Sequence, residues 1–309
     1  MQPTRDDGKG LTMLITILAG AIAGGTSILW AALGETISER AGVINVATEG
    51  SMLLGALAAF AITVQTGQPW VGALAGAGAG AALAAVLALV TVWRGANQLA
   101  SGLTLLFLAL GLTALYGAPY VGGDVQGFAT VNVPLLADLP LLGEVLFQHD
   151  PLVYLGYAAV PAVWWLLFAS RWGLLIRTAG ERPESLAAYG VSPARVRSAA
   201  LVAGGALAGI GGAQLSTALA LSWSEGMTAG RGFIAVALVV FGARRPLRVM
   251  AGAYLFGGAI TLEAVLQVRG AQVNQFALDA LPYVLTLVVL VVLLRRSRQH
   301  APEALGQPL

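Results

Sequence analysis

The 309-residue chain has no cysteine, which excludes a disulfide framework, a thiolate nucleophile and a cysteine-ligated metal. Its two histidines, His149 and His300, are too few for a histidine metal centre or proton relay. Lysine occurs once, at Lys9, in DDGKGLT, a context with neither the spacing of a phosphate-binding loop nor a strand before it. Charge of either sign is scarce: 10% of the residues are Asp, Glu, Lys or Arg, against roughly 25% in soluble domains. The net charge of +2 is too small to point to a nucleic-acid partner. No nucleophile–base pair and no metal-ligand cluster stands out, so no catalytic centre and no cofactor site is read in this chain.

Hydrocarbon is what the chain has in abundance. Hydrophobic residues make up 57% of it and the mean hydropathy is +0.79. A helix crosses a bilayer with about 20 apolar residues, so one membrane bundle can absorb the whole length. The expected fold is all-α, a polytopic transmembrane bundle of about eight to ten spans with broken or re-entrant helices. It forms a single domain over residues 11–298, between a polar tail at 1–10 and a second tail at 299–309.

The least membrane-like stretch is 171–197, RWGLLIRTAGERPESLAAYGVSPARVR, with Arg171, Arg177, Arg182, Arg195 and Arg197. Loops rich in Arg stay inside, which places it in the cytoplasm. Pro183 suits the first turn of a short helix, Glu181 and Glu184 favour its positive N-terminal end, and Gly190 suits its end. Ser192 then caps the next helix, with Pro193 at its first position. By contrast, 95–170 holds no Lys or Arg, and 119–150 carries Asp124, Asp138, Glu144 and Asp150. The same charge rule makes 119–150 extracytoplasmic, and its length suits a docking or gating role. A last span at 280–294, followed by Arg295, Arg296 and Arg298, returns the C-terminus to the cytoplasm.

Two polar interruptions cut the apolar pattern. The first, 34–50, holds Glu35, Glu39, Arg40, Asn45 and Glu49. A charge at the centre of an exposed membrane helix costs at least about 2.5–3.5 kcal/mol, so these lie at an interface or face a protein-lined interior. The stretch reads either as a polar connector or as a broken helix with Asn45 and Glu49 turned to a solute pathway. The second, 222–232, contains Glu225, Thr228 and Arg231 and precedes an apolar run at 233–243. Eleven residues reach only about 16 Å, against a hydrocarbon core of about 30 Å, so that run is a half-helix. Paired interruptions point to a transport site between two halves of a bundle. Asn97 and Gln98, at the head of a later span, hydrogen-bond either a neighbouring helix or a polar solute. The pathway candidates are therefore Asn45, Glu49, Asn97, Gln98, Thr228 and Arg231.

The loop ERPESLAAYGVSPARVR resembles the coupling loop of ATP-binding-cassette importer permeases, where a short helix ending in Gly docks on an ATPase subunit. LGETISERAGVINVATEGSMLLGA, ANQLASGLTLLFLALGLT and GMTAGRGFIAVALVVFG resemble the permeases grouped with the branched-chain amino acid and ribose systems, in their nucleoside and simple-sugar branch. The resemblance implies a type II importer fold in a bacterial or archaeal inner membrane. It also implies a second permease subunit, a cytoplasmic ATP-binding subunit that carries ATP and Mg, and an extracytoplasmic solute-binding protein. It assigns the docking contacts to Gly180, Glu181, Glu184, Ala187, Ala188 and Gly190, with Ser185 and Leu186 departing from the strict pattern. The alternative is an ion-coupled secondary transporter that uses Glu49 or Glu263.

Overall fold

A computed structural model describes residues 6–268 and, beyond them, Val284, Pro302 and Leu305; side chains are described from residue 10 on. The expected span at 280–294 and the basic cluster Arg295, Arg296 and Arg298 lie outside the described residues. Among those residues, seven helices are long and apolar enough to cross a membrane. They belong to α1 (Asp6–Arg40), α2 (Thr48–Thr66), α3 (Pro69–Ala88), α4 (Gln98–Gly117), α6 (Pro151–Phe168), α9 (Pro193–Gln214) and α11 (Pro246–Val268). A π-helical turn extends α3 to Trp93 and another extends α9 to Leu219.

The remaining elements are short. A helix α5 (Leu142–Leu146) and a two-residue antiparallel pair, β1 (Val131–Asn132) with β2 (Gln148–His149), fold the 119–150 segment. The Arg-rich loop forms α7 (Arg171–Glu181) and α8 (Pro183–Ala188). The half-helix expected at 233–243 forms two residues earlier, as α10 (Arg231–Phe241), also 11 residues long, so Arg231 and Gly232 belong to its first turn rather than to the interruption.

The polar residues expected at the ends of these helices do the capping. Ser170, Ser192 and Asn97 accept the backbone N–H groups of Gly173, Arg195 and Ala100. Asp150 caps α6 through Oδ1, which accepts from Leu152 and Val153. Gly190 stops α8 with φ +76°, a left-handed geometry that a side chain would strain.

One expectation needs correction. The polar interruption expected to open at residue 34 does not open there: α1 runs on through Glu35 and Glu39 to Arg40. Both acids have partners inside the protein, so nothing forces the helix to end at them, and the true break is 41–47. At 35 residues α1 is about 52 Å long, more than the hydrocarbon core needs.

The centre of the bundle is packed backbone to backbone. Gly209 of α9 sits against Gly55 of α2 and Gly76 of α3, where an added Cβ would overlap the carbonyl of Gly76. Close approach through small residues replaces the hydrophobic driving force that lipid cannot supply.

The helices meet at two distinct ends. At one, the end of α1 touches α7, since a Cβ on Gly180 would overlap the carbonyl of Arg40. There too Arg197 of α9, 2% exposed, donates to the carbonyl of Ala179 through Nε at 3.3 Å and Nη2 at 3.0 Å. At the other end the 119–150 segment lies on the end of α9: Phe128 N–H donates to the carbonyl of Thr217, and Val125 N–H to that of Leu221. Because α1 finishes at the Arg-rich end, it starts at the end that carries 119–150.

Candidate functional site

The first break is held by Glu35, 1% exposed. Its Oε1 accepts the Asn45 N–H at 2.9 Å, and its Oε2 faces the Thr48 hydroxyl at 3.2 Å. Thr48 Oγ1 also donates to the carbonyl of Asn45 at 2.7 Å. Gln98, at the head of α4, accepts the Ile44 N–H at 2.9 Å. Glu35 and Gln98 thus take up the N–H groups that an open chain buried in protein must place.

The second break is held by Glu49, in the first turn of α2. Oε1 accepts the Thr228 hydroxyl at 2.6 Å and the Gly230 N–H at 2.9 Å, and Oε2 accepts the Gly232 N–H at 2.6 Å. Gly230 and Gly232 are the first orphan donors of α10, so a carboxylate sits on the positive end of its dipole. The approach is close: a Cβ on Gly232 would overlap the backbone of Glu49.

The far end of α10 is held by α1. Ala243 and Arg244 follow the helix in left-handed conformations, with φ of 54° and 57°. Arg40 donates to both their carbonyls: Nε and Nη2 reach Arg244 at 3.3 and 3.2 Å, and Nη2 reaches Ala243 at 3.5 Å. Beside them Arg244 forms an ion pair with Glu39 at 2.7 Å, with side-chain exposures of 9% and 1%. Cation therefore meets the negative end of the same half-helix. The Arg40 guanidinium also stands over the Phe168 ring, 5.2 Å from its centre, with Arg177 at 5.6 Å.

These contacts place the six pathway candidates. Glu49, Thr228 and Arg231 come together at the head of α10, where Arg231 Nη1 donates to the carbonyl of Met227 at 3.1 Å. Gln98 reaches the first break at Ile44, the residue before Asn45, while Asn97 is the cap of α4 and faces its own helix. Glu49, one of the pathway candidates, accepts from Thr228 and from the N–H groups of Gly230 and Gly232 at the head of α10. Asn45 differs from the rest: it is 1% exposed, and neither polar atom of its side chain has a partner.

Of the coupling candidates, Glu181, Glu184, Ala187, Ala188 and Gly190 are exposed at the Arg-rich end. Leu186, where the sequence departs from the strict pattern, is 4% exposed and anchors α8 in the main core. Gly180 is buried against α1 and so belongs to the contact beneath α8 rather than to its surface.

Glu35, Glu39, Arg40 and Arg244 are site residues that the sequence does not single out, although the first three lie within the first interruption and Arg244 follows the apolar run after the second. Nor does the sequence single out the pair at the opposite end, where Asp150 Oδ2 accepts Gln214 Nε2 at 3.3 Å. Burial pushes the Asp150 carboxyl up from its ordinary value, and the hydrogen bonds from Gln214, Leu152 and Val153 oppose this.

Comparison with known proteins agrees with this architecture. The family model described as branched-chain amino acid transport system / permease component matches residues 12–294. The putative glucose ABC transporter permease protein of Haloferax volcanii is 44% identical over 267 residues, 85% of this chain and 80% of that protein. The nucleoside ABC transporter permease protein of Lactococcus lactis subsp. cremoris is 32% identical, covering 94% of this chain and 95% of its own length. The guanosine ABC transporter permease protein of Bacillus subtilis is 30% identical, with 96% and 97% covered. No solved structure is significantly similar. With a family model over nearly its whole length and seven apolar helices, the chain is a multi-pass membrane protein that belongs to the branched-chain amino acid transport system permease family.

Proposed function

We propose that the chain is the membrane-spanning permease subunit of an ATP-binding-cassette importer for a nucleoside or a simple sugar, powered by ATP and Mg on a separate cytoplasmic subunit. The substrate classes are those named for its relatives. A neutral solute suits the chain, because the charged groups around the two breaks are already matched to partners of its own. A solute-binding protein would deliver the solute to the end that carries 119–150, and a second permease subunit would complete the path. In this orientation the Arg-rich end is cytoplasmic, α1 starts outside, and the C-terminus is inside.

The observation that carries the reading is α8. It stands exposed at the Arg-rich end, with Tyr189 beside it 88% exposed, yet it is rooted by Leu186. Below it, α7 is fastened to α1 by the Gly180 contact and to α9 by Arg197. From α1 the path continues through Arg40 and Glu39 to the end of α10. A partner that seats α8 and closes on ATP would move this connected set as a body. Closure shifts the equilibrium only if it binds the outward-facing state better than the inward-facing one.

The secondary-transport alternative finds no support at Glu49, whose two oxygens already accept three hydrogen bonds from the second break. Co-purification separates the readings. The chain should carry an ATPase subunit with it, and Glu184→Arg or Gly190→Trp should abolish solute-stimulated hydrolysis while the protein stays folded. Uptake that persists without ATP and follows an imposed proton gradient would refute the importer reading.

A further inference from the structure

At the Arg-rich end, α1, α6, α7 and the first turns of α9 enclose a groove of about 600 Å³. Its depth is apolar, with Ile37, Leu175, Ile176 and Val196 among its walls. Its exposed members are of another kind. Trp172 is 68% exposed, and Arg195 is the one charged residue in the lining. Among the described residues no hydrogen bond or ion pair engages the Arg195 guanidinium. We infer that this groove is a binding site for an anionic phospholipid, with an acyl chain in the apolar slot and the headgroup phosphate on Arg195.

Three features carry the inference. An apolar slot on a membrane bundle is filled by hydrocarbon, since water there would leave its hydrogen bonds unmade. A Trp beside an Arg at the edge of the slot is the pairing found at headgroup level, where the ring sits in the interface and the guanidinium binds phosphate through a charge-assisted hydrogen bond. The sign of the lipid follows from charge balance. The stretch 171–197 holds five Arg against Glu181 and Glu184, and no acid lines the groove, so a zwitterionic headgroup would bring a cation to an already positive site. Gly190, which ends α8, also lines the groove, so a seated lipid touches the proposed lever. The site itself does not depend on α8 docking an ATPase.

The absence of cysteine leaves tryptophan as the natural probe. The full chain is placed in phosphatidylcholine nanodiscs with rising fractions of brominated-chain phosphatidylglycerol or brominated-chain phosphatidylcholine. The Trp172 signal is taken as the difference between wild type and Trp172→Phe. At equal mole fraction, phosphatidylglycerol should quench it several-fold more steeply. Arg195→Gln should remove that preference, whereas Arg182→Gln, which changes the loop charge equally but lies outside the lining, should keep it. Equal quenching by the two lipids overturns the proposal. So does an equal loss in both Arg variants, which would mean diffuse attraction only. So does the absence of quenching by either lipid, which would mean that another protein surface covers the groove.

Discussion

The two interruptions of the apolar chain are both closed by a buried glutamate, but the glutamates come from very different places. Glu35 lies on the helix that the first break ends, ten positions before Asn45 and thirteen before Thr48. Glu49 lies 181 positions from Gly230, on a different helix from the one it caps. The first break is closed from nearby in the chain, by Glu35 of α1 and by Gln98 at the head of α4. The second exists only when the two halves of the chain have met, and it makes the head of α10 a dependant of α2. The tail of α10 is likewise a dependant of α1, through Arg40 and the Glu39–Arg244 ion pair. A half-helix too short to cross is thus held at both dipole ends by charges of the first half, and it must follow when those helices move.

The largest effect should come from breaking the ion pair. Glu39→Ala leaves Arg244 uncompensated in a buried site, and stability should fall by about 3–5 kcal/mol, read as thermal unfolding in detergent. A double-mutant cycle with Arg244→Ala should show strong coupling, whereas no comparable coupling should link Glu35 and Arg244. A smaller effect is expected at the other end of α10. Gly232→Ala sets a Cβ against the backbone of Glu49, which cannot yield as a side chain can, and should cost about 1–3 kcal/mol. Gly24→Ala, where an added Cβ meets nothing, should be close to neutral.

The smallest effect is a pH dependence outside the two breaks. The folded pKa of Asp150 is raised by burial, so the folded state holds that proton more tightly than the unfolded chain. The resulting stability is complete below the unfolded value, about pH 4, and is lost as the pH rises through the folded value. Asp150→Asn keeps an oxygen to cap α6 but does not titrate. Its melting temperature should therefore exceed that of wild type near neutral pH, and the difference should vanish towards pH 4.

Much of the fold was legible because membrane crossing is a matter of length and hydropathy. The half-helix at α10 followed from an eleven-residue run, and α8 from Pro183 and Gly190. The start of the first break was misplaced because counting charges cannot show that Glu35 and Glu39 have partners, and a paired acid does not end a helix. The role of Glu49 was out of reach for a related reason. Its three donors sit in a segment that sequence proximity does not bring near it, and two of them are backbone N–H groups that no residue type announces. Asn45, read from sequence either as part of a polar connector or as turned to a pathway, is buried with its side-chain amide unpartnered, which no sequence signal shows.

The contrast between the two glutamates is tested most directly by one isosteric change made at each. In Glu35→Gln the amide can give its oxygen to the Asn45 N–H and its NH2 to the Thr48 hydroxyl, so every group stays paired. In Glu49→Gln either orientation sets an NH2 against a backbone N–H, of Gly230 or of Gly232, and neither can accept. Thermal melting of the two variants side by side should show Glu49→Gln less stable than Glu35→Gln by about 1.5–3 kcal/mol. Equal melting temperatures, or the reverse order, would contradict the account of α10 as a half-helix held by the opposite half of the chain.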